Sequence, residues 1–211
     1  MTNFQRFGLS KNLNQALIDI DFIDPTPIQS KTIPIALEGR DILGSAQTGT
    51  GKTAAFCIPM IELLTRDLGM TALIMTPTRE LARQVLDVVN KLIGQKSSIR
   101  SACLIGGEAM VKQLNQLRKG PRIIVGTPGR INDHLENETL DLMDCGYLVL
   151  DETDRMLDMG FGIQIDQTLQ YLPSEKQTLL FSATLPTKIM KLSNKYLYNS
   201  QRIAIESEKI L

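Results

Sequence analysis

The sequence is poor in the residues that build metal sites and disulfides. It holds one histidine, His134, and three cysteines, Cys57, Cys103 and Cys145, which lie far apart with no paired spacing. A single imidazole argues against a histidine metal cluster and against a Ser–His pair. The cysteines read as small buried hydrophobes in a reducing compartment, not as zinc ligands or disulfide partners. Net charge is also missing: Lys+Arg 23 balances Asp+Glu 23. With no global basic field, nucleic-acid binding would have to come from a local patch. No apolar run is long enough to span a bilayer, and the start Met1-Thr2-Asn3-Phe4-Gln5-Arg6-Phe7 has no basic-then-apolar leader. A soluble, cytoplasmic protein with no membrane partner is expected. No repeat or low-complexity segment appears. The 211 residues have ordinary globular composition, long enough for one large domain and short for two.

What is present is organised around Asp41-Ile42-Leu43-Gly44-Ser45-Ala46-Gln47-Thr48-Gly49-Thr50-Gly51-Lys52-Thr53. A short apolar run leads into a glycine-rich loop that ends in Gly-Lys-Thr at the start of a helical pattern. Successive backbone N–H groups and a helix N-terminus then face an anion, and Lys52 adds a point charge on the outer phosphates. Thr53 offers a hydroxyl to Mg²⁺. The generic pattern has glycine at both ends, and Ala46 occupies the first position here. Ordinary turn chemistry is the alternative, and the strand before and helix after favour the phosphate reading.

After residue 40, short β-rich apolar runs alternate with amphipathic stretches. The runs are Asp41–Ala46, Thr71–Thr76, Arg100–Ile105, Arg122–Gly126, Tyr147–Asp151, Gln177–Ser182 and Arg202–Ile205. Glu80–Val89 between two of them has apolar spacing of three and four. Leu148-Val149-Leu150 and Ile123-Ile124-Val125 are apolar on both faces, which suits a parallel sheet covered by helices on each side. One doubly wound α/β domain is predicted, with ligands outside the carboxyl ends of the strands.

The loops after the strands are where chemistry is expected. Before the first strand, a helical lead Leu9–Ile20 precedes Asp24-Pro25-Thr26-Pro27-Ile28-Gln29, where Gln29 presents a donor and an acceptor that match the N6/N7 edge of adenine. A surface glutamine at a proline-rich helix entry is the plainer reading. Thr76-Pro77-Thr78-Arg79-Glu80 ends the next strand; Thr78 and Glu80 suit a helix cap, while Arg79 in the first turn makes sense beside an anion. Gly106-Gly107 and Thr127-Pro128-Gly129-Arg130 repeat the device, each exposing backbone N–H groups. Three such loops on one sheet edge would form a track for a phosphate backbone.

Tyr147–Leu150 then runs straight into Asp151-Glu152-Thr153-Asp154. Ending a buried strand in carboxylates costs free energy unless a cation or water network answers them. Asp151 is placed to hold Mg²⁺ opposite the phosphate loop, and Glu152 to polarise a water attacking the γ-phosphate. A helix N-terminal acid cluster is the alternative. Leu179–Phe181 ends in Ser182-Ala183-Thr184, whose hydroxyls would bond those acids or cap the helix after Pro186.

Taken in order, these segments resemble the N-terminal RecA-like domain of DEAD-box RNA helicases of bacterial type, nearly end to end. Phe4 with Pro25–Gln29 is similar to that family's adenine-sensing Q motif, within a lead covering 1–39. Ala46–Thr53 is similar to its phosphate loop, in which alanine at the first position is normal. The resemblance implies that Phe4 stacks on adenine and Thr26 and Gln29 help bind the nucleotide, with Gln29 reading the base edge. Ala46, Gln47, Thr48, Gly49, Thr50, Gly51, Lys52 and Thr53 bind its phosphates. Catalysis would fall to Glu152, Asp151 and Lys52, with Mg²⁺ on Thr53 and, partly through water, Asp151. Pro77, Thr78, Arg79, Gly106, Gly107, Thr127, Pro128, Gly129 and Arg130 would meet RNA. Asp154 would bond Ser182 and Thr184 and so couple ATP to RNA.

Two departures stand out: Thr153 replaces alanine in the namesake Asp-Glu-Ala-Asp, and Asp21 replaces the glycine usual before Phe22. The family also works with a second RecA-like domain that carries the arginine fingers, and nothing after Thr184 supplies it. The chain is therefore expected to be a fragment, monomeric, that binds ATP but hydrolyses it feebly. In the intact protein, ATP hydrolysis would drive local RNA unwinding. The alternatives are a nucleotide-dependent RNA clamp with little unwinding, a P-loop ATPase acting on DNA, and a phosphotransferase, for which no second-substrate segment is visible.

Overall fold

The computed structural model describes residues 2–95 and 97–205. All seven apolar runs form strands: β1 (Ile42–Ser45), β2 (Thr71–Met75), β3 (Ser101–Leu104), β4 (Ile123–Gly126), β5 (Cys145–Leu150), β6 (Gln177–Ser182) and β7 (Gln201–Ala204). They pair in parallel throughout, in the order β3-β4-β2-β5-β6-β1-β7.

Alternate strand residues point to opposite faces. Ile42, Ile74, Val125, Val149 and Phe181 enter one core, and Leu43, Leu73, Ile124, Leu148 and Leu180 the other. The first face is covered by α1 (Lys11–Asp19), α2 (Pro27–Leu37), α3 (Lys52–Arg66) and α4 (Arg79–Ile93). The second is covered by α6 (Pro128–Glu136), α7 (Thr153–Asp158), α8 (Gly162–Leu169) and α9 (Thr187–Tyr196), while α5 (Met110–Leu117) packs at its margin through Leu117. Both faces being helix-covered is why the strands read as continuous apolar runs. All three cysteines are buried as free thiols, and burial pushes Cys103 and Cys145 each up to about 11. Among the described residues, no helix is long and apolar enough to cross a membrane.

Asp21 adopts φ +57°, the left-handed conformation that glycine takes without cost. The departure from glycine therefore leaves the turn shape in place, since aspartate tolerates that region better than most residues.

Strand order divides the loops into two sets. Those after β1, β5 and β6 lie side by side, as do those after β2, β3 and β4, and β2 and β5 are neighbours. All seven strands run in one direction, so every such loop opens at the same edge of the sheet.

Candidate functional site

β1 delivers the chain into the loop Ala46–Gly51, which turns into α3 at Lys52. Gly49 and Gly51 have φ of +82° and +83°, so the reversal uses conformations that side chains rarely adopt. A Cβ on Gly51 would also lie 2.6 Å from Nε2 of Gln29 and 2.9 Å from Oγ1 of Thr26. Gln47, Thr48 and Gly49 are exposed, whereas Ala46 is buried, which suits a small residue at that position. The Thr50 hydroxyl donates to the Gln47 carbonyl at 2.8 Å and stiffens the turn.

Lys52 and Asp151 meet across this loop. Nζ lies 3.0 Å from Oδ1, with both side chains almost wholly buried. Burial pushes the Asp151 carboxyl above its usual range, and the Lys52 ammonium and the Glu152 N–H, which donates to Oδ1 at 2.9 Å, pull it back down. Glu152 sits at φ +48°, an uncommon conformation for a residue that carries a Cβ, and its side chain pairs with Arg155 at 3.3 Å. Strained backbone of this kind concentrates where a side chain must be aimed.

Gln29 is buried, which overturns the surface alternative. Its Oε1 accepts from the Thr26 N–H at 2.9 Å and its Nε2 donates to the Gly51 carbonyl at 3.1 Å. A carboxamide has two donors and two acceptor positions, so one of each remains for a ligand. Thr26 Oγ1 beside it is buried without a partner. Phe4 requires a correction. Its ring is fully buried, with centroids 6.1 Å from Phe7 and 6.2 Å from Phe22, and it anchors the N-terminal turn instead of offering a face to a base. Its neighbours Phe7 and Phe22 are both half-buried, and Phe7 with Arg6, Ser30, Pro34 and Leu37 lines a cavity of ≈ 440 Å³.

The coupling contacts are half as expected. Asp154 Oδ2 accepts from both the Thr184 hydroxyl at 3.0 Å and the Thr184 N–H at 3.1 Å. Ser182 does not join them: its Oγ is buried at the end of β6 and has no partner. The reason is position: Ser182 is the last residue of β6 and stays packed within the sheet, while Thr184 lies exposed past the strand end and reaches Asp154 in α7.

On the other half of the edge, Thr78 caps α4 by accepting from the Leu81 N–H at 3.2 Å. Arg79 lies exposed over the next loop: a Cβ on Gly107, where φ is +76°, would stand 2.2 Å from its Nη1. Arg130 reaches back from α6 to donate to the Glu108 carbonyl at 3.1 Å. Pro77, Thr78, Arg79, Gly106, Thr127, Gly129 and Arg130 line one open groove of ≈ 630 Å³, and Pro128 is buried at the start of α6. Met159 and Phe161 also line the groove, as do Glu80 and Asp133, the latter 3.4 Å from Arg130. Sequence reading missed the apolar pair, although two large apolar residues interleaved with glycines in Met159-Gly160-Phe161-Gly162 are a visible sign of a presented turn.

The family model for DEAD/DEAH box helicases matches residues 26–192. This chain belongs to that helicase family. It is 44% identical over 208 residues to DEAD-box ATP-dependent RNA helicase RhpA of Helicobacter pylori, covering 99% of this chain and 42% of that protein. Against ATP-dependent RNA helicase CshA of Listeria monocytogenes it is 45% identical over its whole length, which is 40% of that protein. The crystal structure of a DEAD box protein from Methanococcus jannaschii superposes with a TM-score of 0.91 at 42% identity, over 98% of this chain and 56% of that one. The chain thus spans less than half the length of these curated relatives.

Within this helicase-family domain, the residues suit Mg²⁺ bound together with phosphate. Among the described residues no cluster of three or more His, Cys, Asp or Glu forms a self-sufficient metal cage. Mg²⁺ ordinarily needs none, taking one or two carboxylates, waters and substrate phosphates. Asp151 and the Thr53 hydroxyl are the protein groups available for it. Thr153 is fully buried and its hydroxyl donates to the Leu150 carbonyl at 3.1 Å, so the extra polar atom is satisfied within its own turn. Thr153→Ala is therefore expected to change ATP turnover in the longer protein less than tenfold. A larger change in steady-state rate would show that the hydroxyl bears on the acids themselves.

Proposed function

We propose that this chain is the ATP- and RNA-binding half of an ATP-dependent RNA helicase. The observation that carries the reading is the adjacency of two loop sets on one sheet edge: phosphate loop, acids and Ser182–Thr184 on one side, the arginine-bearing groove on the other. In this reading Gln29 uses its remaining donor and acceptor on adenine, and the loop amides with Lys52 hold the phosphates. Asp151 and Thr53 hold Mg²⁺, which supplies charge neutralisation on the phosphates when bound. Glu152 orients the attacking water. Arg79, Arg130 and the amides of Gly106, Gly107 and Gly129 meet RNA phosphates and sugars, which gives grip with little base readout.

The partner in this mechanism is a second RecA-like domain supplied by a longer protein, and ATP and RNA draw the two halves together because they bind the closed form best. Without the arginine finger of that domain, losses of about 10³–10⁵ in rate are typical, so the 211-residue chain is expected to bind nucleotide and turn it over feebly.

Calorimetry with ADP and GDP on the wild-type chain and on Gln29→Ala tests the nucleotide half. Selective ADP binding, lost in the variant, is expected. Equal affinity for both nucleotides would keep the phosphate loop and remove the adenine role of Gln29. Absence of any binding would remove the nucleotide site from this chain by itself.

A further inference from the structure

We propose that Gln113 and His134 form a buried positioning device that holds the Gly106–Gly107 turn in the posture that meets RNA. The inference rests on the RNA reading above and concerns residues that reading leaves unused. Both side chains are fully buried. Gln113, in α5, donates from Nε2 to the Ile105 carbonyl at 2.7 Å, and its Oε1 lies 2.8 Å from Nε2 of His134 in α6.

The proton positions follow from one fixed point. The Ile105 carbonyl can only accept, so the Gln113 atom facing it must be the amide N–H, and Oε1 must face the imidazole. Oε1 can only accept, so His134 carries its hydrogen on Nε2. Nδ1 is then the acceptor, so the Thr139 hydroxyl 2.8 Å away turns its single hydrogen to the ring and not to the His134 carbonyl 3.0 Å off, which already accepts from the Thr139 N–H at 2.9 Å. Inverting either side chain would set two acceptors or two donors against each other in a dry site. The relay from α6 to the end of β3 thus has one permitted arrangement. Desolvation together with the Arg130 charge lowers the His134 pKa, in keeping with a neutral ring.

Ile105 is the last residue before the turn, and its other ties lie nearer the surface. Arg79 rests on the outer side of Gly106 and Gly107, and Arg130 holds the Glu108 carbonyl from the groove. Both arginines would have to serve RNA phosphates as well, so they cannot alone fix the backbone they lie against. Gln113 anchors the same turn from beneath, out of reach of the ligand. α6 starts at Thr127–Arg130 and carries His134 one turn later, so the two loops of the groove are held in one register by a single helix.

Two substitutions separate positioning from general stability. His134→Gln keeps an amide N–H near the place of Nε2 and can still donate to Gln113. His134→Asn reaches only to the place of Nδ1 and leaves Oε1 of Gln113 unanswered. Gln113→Glu keeps an acceptor for His134 and sets a carboxylate oxygen against the Ile105 carbonyl. Binding of a short fluorescein-labelled oligouridine by anisotropy, ADP binding by calorimetry and the amide resonances of Gly106 and Gly107 are measured on each. The expected result is about tenfold weaker RNA binding for His134→Asn and Gln113→Glu with shifted glycine amides, His134→Gln within twofold of wild type, and ADP affinity unchanged in all. Equal behaviour of His134→Gln and His134→Asn, or unmoved glycine amides in both Gln113→Glu and His134→Asn, would overturn the proposal. A wild-type chain that shows no RNA binding would sink the RNA reading itself, with the glycine amides still reporting whether the pair sets the turn.

Discussion

Under the proposed function, Glu152→Gln in a two-domain protein that contains this chain is expected to lower RNA-stimulated ATP hydrolysis by about 10³-fold, within the 10²–10⁴ that a positioned acid or base ordinarily supplies. The amide is nearly the same size, so the φ +48° backbone, the Asp151 contact from the Glu152 N–H and the packing of α7 all stay in place. What disappears is the charge that polarises water and the ability to accept its proton. Nucleotide affinity should hardly move, because the glutamate is not among the groups that face the phosphates in the loop. The separating measurement is single-turnover hydrolysis beside ADP affinity. Turnover within tenfold of wild type would mean that another group takes the proton and that the strain at residue 152 serves only the fold. The Arg155 partner at 3.3 Å is an exposed side chain and is expected to contribute little to either quantity.

Lys52→Ala is expected to weaken nucleotide binding by about 10²-fold, the scale of a charge-assisted hydrogen bond. It is also expected to destabilise the free chain in a pH-dependent way. Removing one member of a buried ion pair ordinarily costs about 3–5 kcal/mol, since the other charge is left unanswered. Asp151 has an escape: burial already holds its carboxyl above the usual range, and loss of the Lys52 ammonium removes the strongest influence pulling it down. A carboxyl whose folded pKa lies above its unfolded one binds more proton when folded, so its ionisation opposes folding. Stability attributable to it is fully present below the unfolded carboxylate range and is lost as pH rises from there through the raised folded pKa. The gap in melting temperature between wild type and Lys52→Ala should therefore be wide at pH 8 and narrow towards pH 5. A gap that widened in acid would show that Asp151 stays ionised without Lys52 and that the pair is not what neutralises it.

The seven strands were legible in the sequence because a sheet buried on both faces writes itself as apolar runs with no polar alternation. The turn between β1 and α3 was legible because Gly49 and Gly51 are needed for backbone conformations that other residues resist, and Lys52-Thr53 open the helix directly after them. Local chemistry of this kind survives in a one-dimensional reading. The burial of Phe4 did not, because the fate of its ring depends on Phe22 in the segment between α1 and α2, to which the N-terminal turn is tied by the Asn3 N–H donating to the Ile23 carbonyl. Ser182 failed for a related reason: it stands two residues before Thr184 but is still held inside β6, whereas Thr184 lies beyond the strand end.

His134 shows the limit most plainly. One imidazole with no second imidazole in the chain suggests nothing, and its meaning comes from Gln113 across a helix boundary and from a carbonyl that fixes which atom must donate. By itself the sequence determined the fold class, the identity of the loops and the chemistry each can offer, since these follow from residue type and spacing. Tertiary structure alone decided the strand order, and with it which loops stand together. It also decided which polar atoms are already spent inside the protein, because hydrogen-bond partners and desolvation arise only when distant segments are packed against one another.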